Sequence, residues 1–250
     1  MQDKKTTTTI RIGQESMSFS VTDANAIGGV ATEPYDMNLG ISMAANLREA
    51  FTTSEVLGRD CDTVLVMVDS PVMLVPLEEW EQDDEAEQSS IATAKYDMYH
   101  HTFSDVPKGD IIVSSILAEL NVVAVYSVNK DVNTVVCDHY RDVRFAPMGM
   151  PVWQEMYRSR GTRDCNKLFV YFQDSRMEVF SFHQNRFRFY NCFSAAHAHD
   201  ALYYILYIWK QLALNTEHDE LHIIGKPVHK EWLEQEINEY IRHAHYHREI

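Results

Sequence analysis

The sequence predicts an α/β protein of two lobes, each a mixed sheet flanked by helices, and three observations carry that expectation. A hairpin, a helix and a strand come early in the chain. Residues 167 to 193, "KLFVYFQDSRMEVFSFHQNRFRFYNCF", alternate in three runs separated by two short polar breaks, the spacing of an antiparallel meander. A helix, a strand and a second helix then follow the meander. The lobes are expected at 1–163 and 164–250, and 250 residues are enough to bury a core in each.

In order, "TTTIRIG" and "SMSFSVTD" make the hairpin, with Gly13 in the turn and Ile10, Ile12, Phe19 and Val21 alternating across the pleat. The Gly- and Pro-bearing stretch 25–36 reads as loop. Leu39, Met43, Leu47, Ala50 and Phe51 recur at helical spacing. "TVLVMVDSPVMLVPL" offers two buried strands broken at Asp69, Ser70 and Pro71. After the acidic stretch 78–88, "SSIATAKYDMYHHTF" reads as a weakly amphipathic helix, and "GDIIVSSILAELNVVAVYSV" as two strands around a turn at 119–121, with a helical middle the alternative that period alone leaves open. Between 129 and 163 we expect a short helix at "KDVNTVVCDHY", a strand at "VRFAP" and a polar connection.

Beyond the meander, Leu202, Ile205, Leu206 and Trp209 form a helical stripe, and Tyr203, Tyr204, Tyr207 and Ile208 extend the apolar surface around it. That helix is expected to be covered on more than one side. A strand ending at Gly225 precedes a closing helix, with Pro227 at its start and a buried stripe of Leu233, Ile237, Tyr240, Ile241 and Ala244.

Composition narrows the function classes. With 22 basic and 37 acidic residues the net charge is −15, a field that repels phosphate backbones and anionic headgroups, so nucleic acid is not an expected partner. The run "EEWEQDDEAEQ" concentrates seven of those carboxylates and reads as a solvated edge. The longest unbroken apolar run, Ala201 to Trp209, is nine residues, short of the roughly 20 that span a bilayer. No apolar run of signal-peptide length opens the chain, and Cys61, Cys137, Cys165 and Cys192 are too dispersed for a zinc ribbon or redox pair. A cytoplasmic protein with reduced thiols and no membrane insertion is the expectation.

The pattern of elements resembles the actin, sugar-kinase and heat-shock-chaperone ATPase superfamily, built from two ribonuclease-H-like lobes, here with reduced lobes. More closely, "SMSFSV", "NRFRFYNCF" and "DALYYILYIWKQL" look like a bacterial family of unknown function found mainly in Bacteroides and relatives. The superfamily resemblance implies a nucleotide site in the inter-lobe cleft. Two hairpin turns rich in Gly, Ser or Thr would surround the phosphates, each led by an aspartate serving magnesium, because backbone amides must approach phosphate closely. A strand, glycine and helix would pack on the adenosine. In "IRIGQESMSFSV" the resemblance keeps Gly13 and Ser16 but puts Arg11 where the aspartate belongs. In "VYFQDSRMEV" Tyr171 stands near the aspartate position, no glycine is present, and the turn carries Asp174, Ser175 and Arg176. In "LHIIGKPVHKEWLEQEI" Gly225 is kept and Lys226 replaces a second glycine.

The resemblance therefore implies a non-catalytic scaffold or binding protein with a degenerate site at Arg11, Gly13, Ser16, Asp174, Ser175 and Gly225, no cofactor, and a protein partner. The alternative is an atypical nucleotide-binding protein or ATPase that still takes ATP and magnesium. Other groupings point to less. His243 and His247 would share a helical face at i, i+4, but in a terminal turn with no clear carboxylate or cysteine partner, so no metal is expected. The groups His197–Asp200, His100 with His101, and Asp138 with His139 read as surface or structural residues. Asp69 draws attention because it follows a buried strand, although a turn accounts for it. The dense aromatics of 167–209 read mainly as core, with Arg186 and Arg188 able to rim any part left exposed.

Overall fold

The computed structural model describes residues 6–22, 30–81, 96–107, 109–159, 165–173, 175–183 and 186–247. They divide into two compact units, the first made of Met1–Val72, Gln82–Ser115 and Ala124–Met150, the second of Met73–Glu81, Ile116–Val123 and Pro151–Ile250.

In the first unit, β1 (Thr7–Ile12), β2 (Met17–Thr22) and β3 (Val30–Tyr35) form an antiparallel meander, with Ile10 opposite Phe19 and Phe19 opposite Glu33. The helix α1 (Met43–Thr53) leads to β4 (Thr63–Val68), which lies parallel to β1, and β8 (Val143–Pro147) lies parallel to β4. The sheet order is β3-β2-β1-β4-β8. Strand β3 corrects the expected loop at 25–36 over residues 30–35, while 25–29 lie outside the described residues. Its side chains alternate between exposed and half-buried, none is fully buried, and Pro34 is tolerated because the strand sits at the sheet edge.

Between these elements come β5 (Val72–Pro76), α2 (Leu77–Glu81), a helical segment α3 at 96–102, β6 (Ile111–Leu117), a 3₁₀ turn (Ala118–Leu120), β7 (Val122–Val128) and α4 (Lys130–His139). The strand pair around 119–121 is as the apolar pattern requires. Strands β5, β7 and β6 form a three-stranded sheet in that order. The expected helix over 89–103 lies partly outside the described residues.

Helix α1 starts later than its apolar spacing suggests: Ser42 caps it, accepting from Ala45 N at 3.2 Å, and Leu39 stays exposed. Its fully buried Asn46 ties down the preceding turn. The Asn46 Oδ1 accepts from Asn38 N at 2.8 Å, and its Nδ2 donates to the carbonyls of Asn38 (3.0 Å) and Ser42 (3.1 Å). Asn46→Ala strands those groups, so urea denaturation should show a loss of about 2 kcal/mol, while Asn46→Asp should recover the accepted bond only.

The second unit repeats the plan. Strands β9 (Lys167–Gln173), β10 (Arg176–His183) and β11 (Arg186–Ser194) are antiparallel, β12 (Glu220–Gly225) is parallel to β9, and β13 (His243–His247) is parallel to β12. The order β11-β10-β9-β12-β13 matches that of the first sheet. Helices α6 (Ala198–Gln211) and α7 (Lys230–Tyr240) make the crossovers that parallel neighbours need. One sheet face, including Leu168, Val170, Val179, Leu221 and Ile223, packs on Ala201, Ile205, Ile208, Leu233 and Ile237.

Three sequence expectations change here. Residues 150–159 are a helix, α5 (Met150–Ser159), not a polar connection; Trp153 and Met156 are buried three apart. Helix α6 has a solvent face: Tyr203 and Tyr207 are 62% and 48% exposed and stack on one another at 5.9 Å. Residues 243–247 are a strand, because α7 stops at Tyr240 and Ala244 and Tyr246 then contact the core by period-2 alternation.

Candidate functional site

The first unit carries a cavity of about 480 Å³ where strands β1 and β4 end. Ligands of α/β sheets characteristically sit beyond such carboxyl ends, where loops diverge and backbone groups are left to be satisfied. Ile12 and Val68 supply the strand ends, Asp69, Ser70 and Pro71 the loop that follows, and residues 102–107 with Asp110 a second wall. Ser127, Asn129 and Val132, at the end of β7 and the start of α4, complete the lining with Met43.

Local bonds fix these parts. The Asp69 N–H donates to Ile12 O at 3.0 Å, joining the two strand ends. Fully buried Tyr99 donates its hydroxyl proton to Pro71 O at 2.7 Å, and burial pushes that phenol above its ordinary range. Asn129 caps α4, its Oδ1 accepting from the backbone of Asp131 and Val132 at 3.1 and 3.2 Å. The Asn129 Nδ2 donates to Asp110 Oδ1 at 3.4 Å. Burial raises the Asp110 carboxyl, and the Asn129 contact and the nearby His100 oppose that rise. The result is an apolar pocket edged by Asp69, Asp105 and Asp110, suited to an apolar group with a polar or cationic end.

Of the residues singled out in the sequence, Arg11, Gly13 and Ser16 share the β1–β2 hairpin. Gly13 N donates to Ser16 O at 2.8 Å, closing the turn, and a Cβ at position 13 would stand 2.7 Å from Ser16 Oγ. Arg11 is exposed opposite Ser18, on the strand face away from Ile10 and Ile12, and does not line the cavity. In the second unit Ser175 occupies the β9–β10 turn, accepting from Ala195 N at 2.8 Å, and Gly225 ends β12 at φ +88° opposite Phe172. Both lie at the carboxyl end of that sheet. Asp174 lies outside the described residues.

Two of the remaining groupings make ring contacts within the fold. His139 stacks on Phe51 at 4.0 Å and His199 packs on Trp232 at 4.3 Å. The sequence pointed to the cavity through Asp69 alone. Asp105, Asp110, Ser127 and Asn129 carry no spacing signal that could have joined them to it; the one local clue was the Asn129–Lys130 start of an apolar-periodic segment, a helix cap.

Two sheets of five strands with the same order and the same mixture of directions make a duplicated fold. The family model described as Protein of unknown function (DUF3822) matches residues 1–244. The chain belongs to the DUF3822 family. No curated protein matches it. Among solved structures, this DUF3822 protein is similar to a Bacteroides thetaiotaomicron VPI-5482 protein with actin-like ATPase fold and unknown function. That match has a TM-score of 0.81 and 24% identity over 99% of this chain and 94% of the other. A PilM–PilN type IV pilus biogenesis complex aligns with a TM-score of 0.51 and 12% identity, over 96% of this chain and 88% of the other. The protein thus has an actin-like ATPase fold. No described helix is long and apolar enough to cross a membrane.

Proposed function

We propose that this DUF3822 protein is a non-catalytic, cytoplasmic member of the actin-like fold that has a degenerate nucleotide site and works by binding another protein. The observation that carries the reading is Arg11. Where the superfamily pattern needs a carboxylate for magnesium, this chain has an exposed guanidinium, which is permanently cationic and cannot ligate a metal. A net charge of −15 further disfavours capture of a triphosphate. The exposed Tyr203–Tyr207 stack and the acid-edged apolar cavity are features that a protein partner can engage. The pilus protein that aligns with this chain was itself solved in a protein complex, an association compatible with the reading.

Retention of Gly13 and Ser16 favours the second reading, an atypical site for ATP and magnesium. Thermal melting separates the two, since a ligand held only by the native state raises the melting temperature. With ATP and magnesium in large excess, no shift is expected. A saturable rise of several degrees, lost when magnesium is chelated, would overturn the proposal.

A further inference from the structure

The second sheet has a polar end on the face opposite its helix-packed core. There the β9, β12 and β13 register sets Lys167, Glu220 and His243 side by side, and beside them Phe169, His222 and His245. The His222 ring is flanked by parallel neighbours: Phe169 at 4.8 Å, His245 at 4.9 Å and His247 at 5.3 Å, with interplanar angles of 24°, 26° and 17°. Its Nε2 lies 3.2 Å from Glu220 Oε2 and its Nδ1 lies 3.0 Å from His247 Nε2. Glu220 is buried and held by the Lys167 ammonium at 3.1 Å. One ligand atom each from Glu220, His222 and His245 lies within 4.8 Å of the other two.

We propose that Glu220, His222 and His245 bind a divalent transition metal of the zinc class, with His247 as the outer partner that orients His222. Two imidazoles and a carboxylate are a borderline donor set that suits zinc, whereas magnesium and calcium need more oxygens. Metal–ligand bonds of about 2.0–2.2 Å set tetrahedral ligand atoms roughly 3.3 Å apart, so the site must close by up to about 1.5 Å. His245 can supply that movement, because it is exposed on β13, the last strand of the sheet order. Glu220 and His222 are already held on the inner strand.

The tautomer follows from the same contacts. For Nε2 to bind metal, the remaining His222 proton must sit on Nδ1, where it donates to His247 Nε2, the arrangement of a metal-bound imidazole and its outer acceptor. Three protein ligands leave the fourth position to water or to a donor from outside the chain.

The test uses the full chain, stripped with chelator and kept reduced, titrated with zinc chloride by calorimetry and with cobalt(II) by absorption spectroscopy. One zinc per chain should bind, magnesium should not compete, and cobalt should give the visible bands of a tetrahedral nitrogen and oxygen site. His245→Ala removes an exposed side chain and should weaken zinc binding at least about tenfold, and His247→Ala about tenfold through the lost outer contact. His101→Ala, on α3, should leave affinity unchanged. Absence of one-to-one binding, equal affinity in His245→Ala, competition by magnesium, or a thiolate-to-cobalt charge-transfer band would each overturn the proposal.

Discussion

Gly225→Ala should cost about 3 kcal/mol or more, read as a fall of roughly 6–12 °C in melting temperature for a chain of this size. Two strains combine. At φ +88° an alanine is held in a backbone region that L side chains rarely adopt, costing about 1–2 kcal/mol. Its Cβ would then stand 2.3 Å from Phe172 O and 3.2 Å from Phe172 C. Those atoms are backbone of β9, the central strand of its sheet, so no side-chain rotation relieves the overlap and the β9–β12 ladder must part. Gly58→Ala is the control. A Cβ there would be 3.5 Å from Ser54 O, an ordinary contact, and calorimetry should show no loss. If both variants melt alike, the close approach of β12 to β9 is not rigid. The sheet alone demands a glycine at 225, so its retention says nothing about a nucleotide.

That residue illustrates what can be read from the chain and what cannot. The β9–β11 meander was legible because both of its faces are apolar enough to show alternation between clear polar breaks. The 118–121 turn was legible because two apolar runs flank it. Strand β13 was not: Leu233, Ile237, Ile241 and Ala244 continue a helical spacing across the real helix end, and three histidines give no hydrophobic alternation to oppose it. Helix α5 was hidden because its inward face shows only Trp153 and Met156, although Pro151 near its start was a usable signal. The candidate sites lie a level further from the sequence. Asp69 could be placed at a strand end from local pattern, but Asn129 and Asp110 join it only through tertiary packing. His222 and His245 become neighbours only through the β12–β13 register, which no spacing encodes.

Lys167→Met should be the second large effect, a loss of about 3 kcal/mol by chemical denaturation, because it leaves the buried Glu220 charge without its ammonium. The pair is enclosed by structure that cannot rearrange cheaply. Lys167 O accepts from the buried Ser181 hydroxyl at 2.9 Å, Glu220 N donates to Asn166 O at 3.0 Å, and Asn166 N donates to the buried Asp219 carboxylate at 2.8 Å. The double variant Lys167→Met with Glu220→Leu removes the charge as well as its partner and should regain most of the loss, since a buried ion pair and an apolar pair of similar volume are often close in stability. If the double variant is as unstable as the single one, packing of the lysine stem, not the uncompensated carboxylate, sets the cost. Zinc adds a third comparison. A divalent ion bound by Glu220, His222 and His245 supplies the positive charge that methionine lacks, so zinc should raise the melting temperature of Lys167→Met more than that of the unaltered chain. The double variant, having lost a ligand, should not respond. Stability and metal binding would then report on the same carboxylate, through experiments that can fail separately.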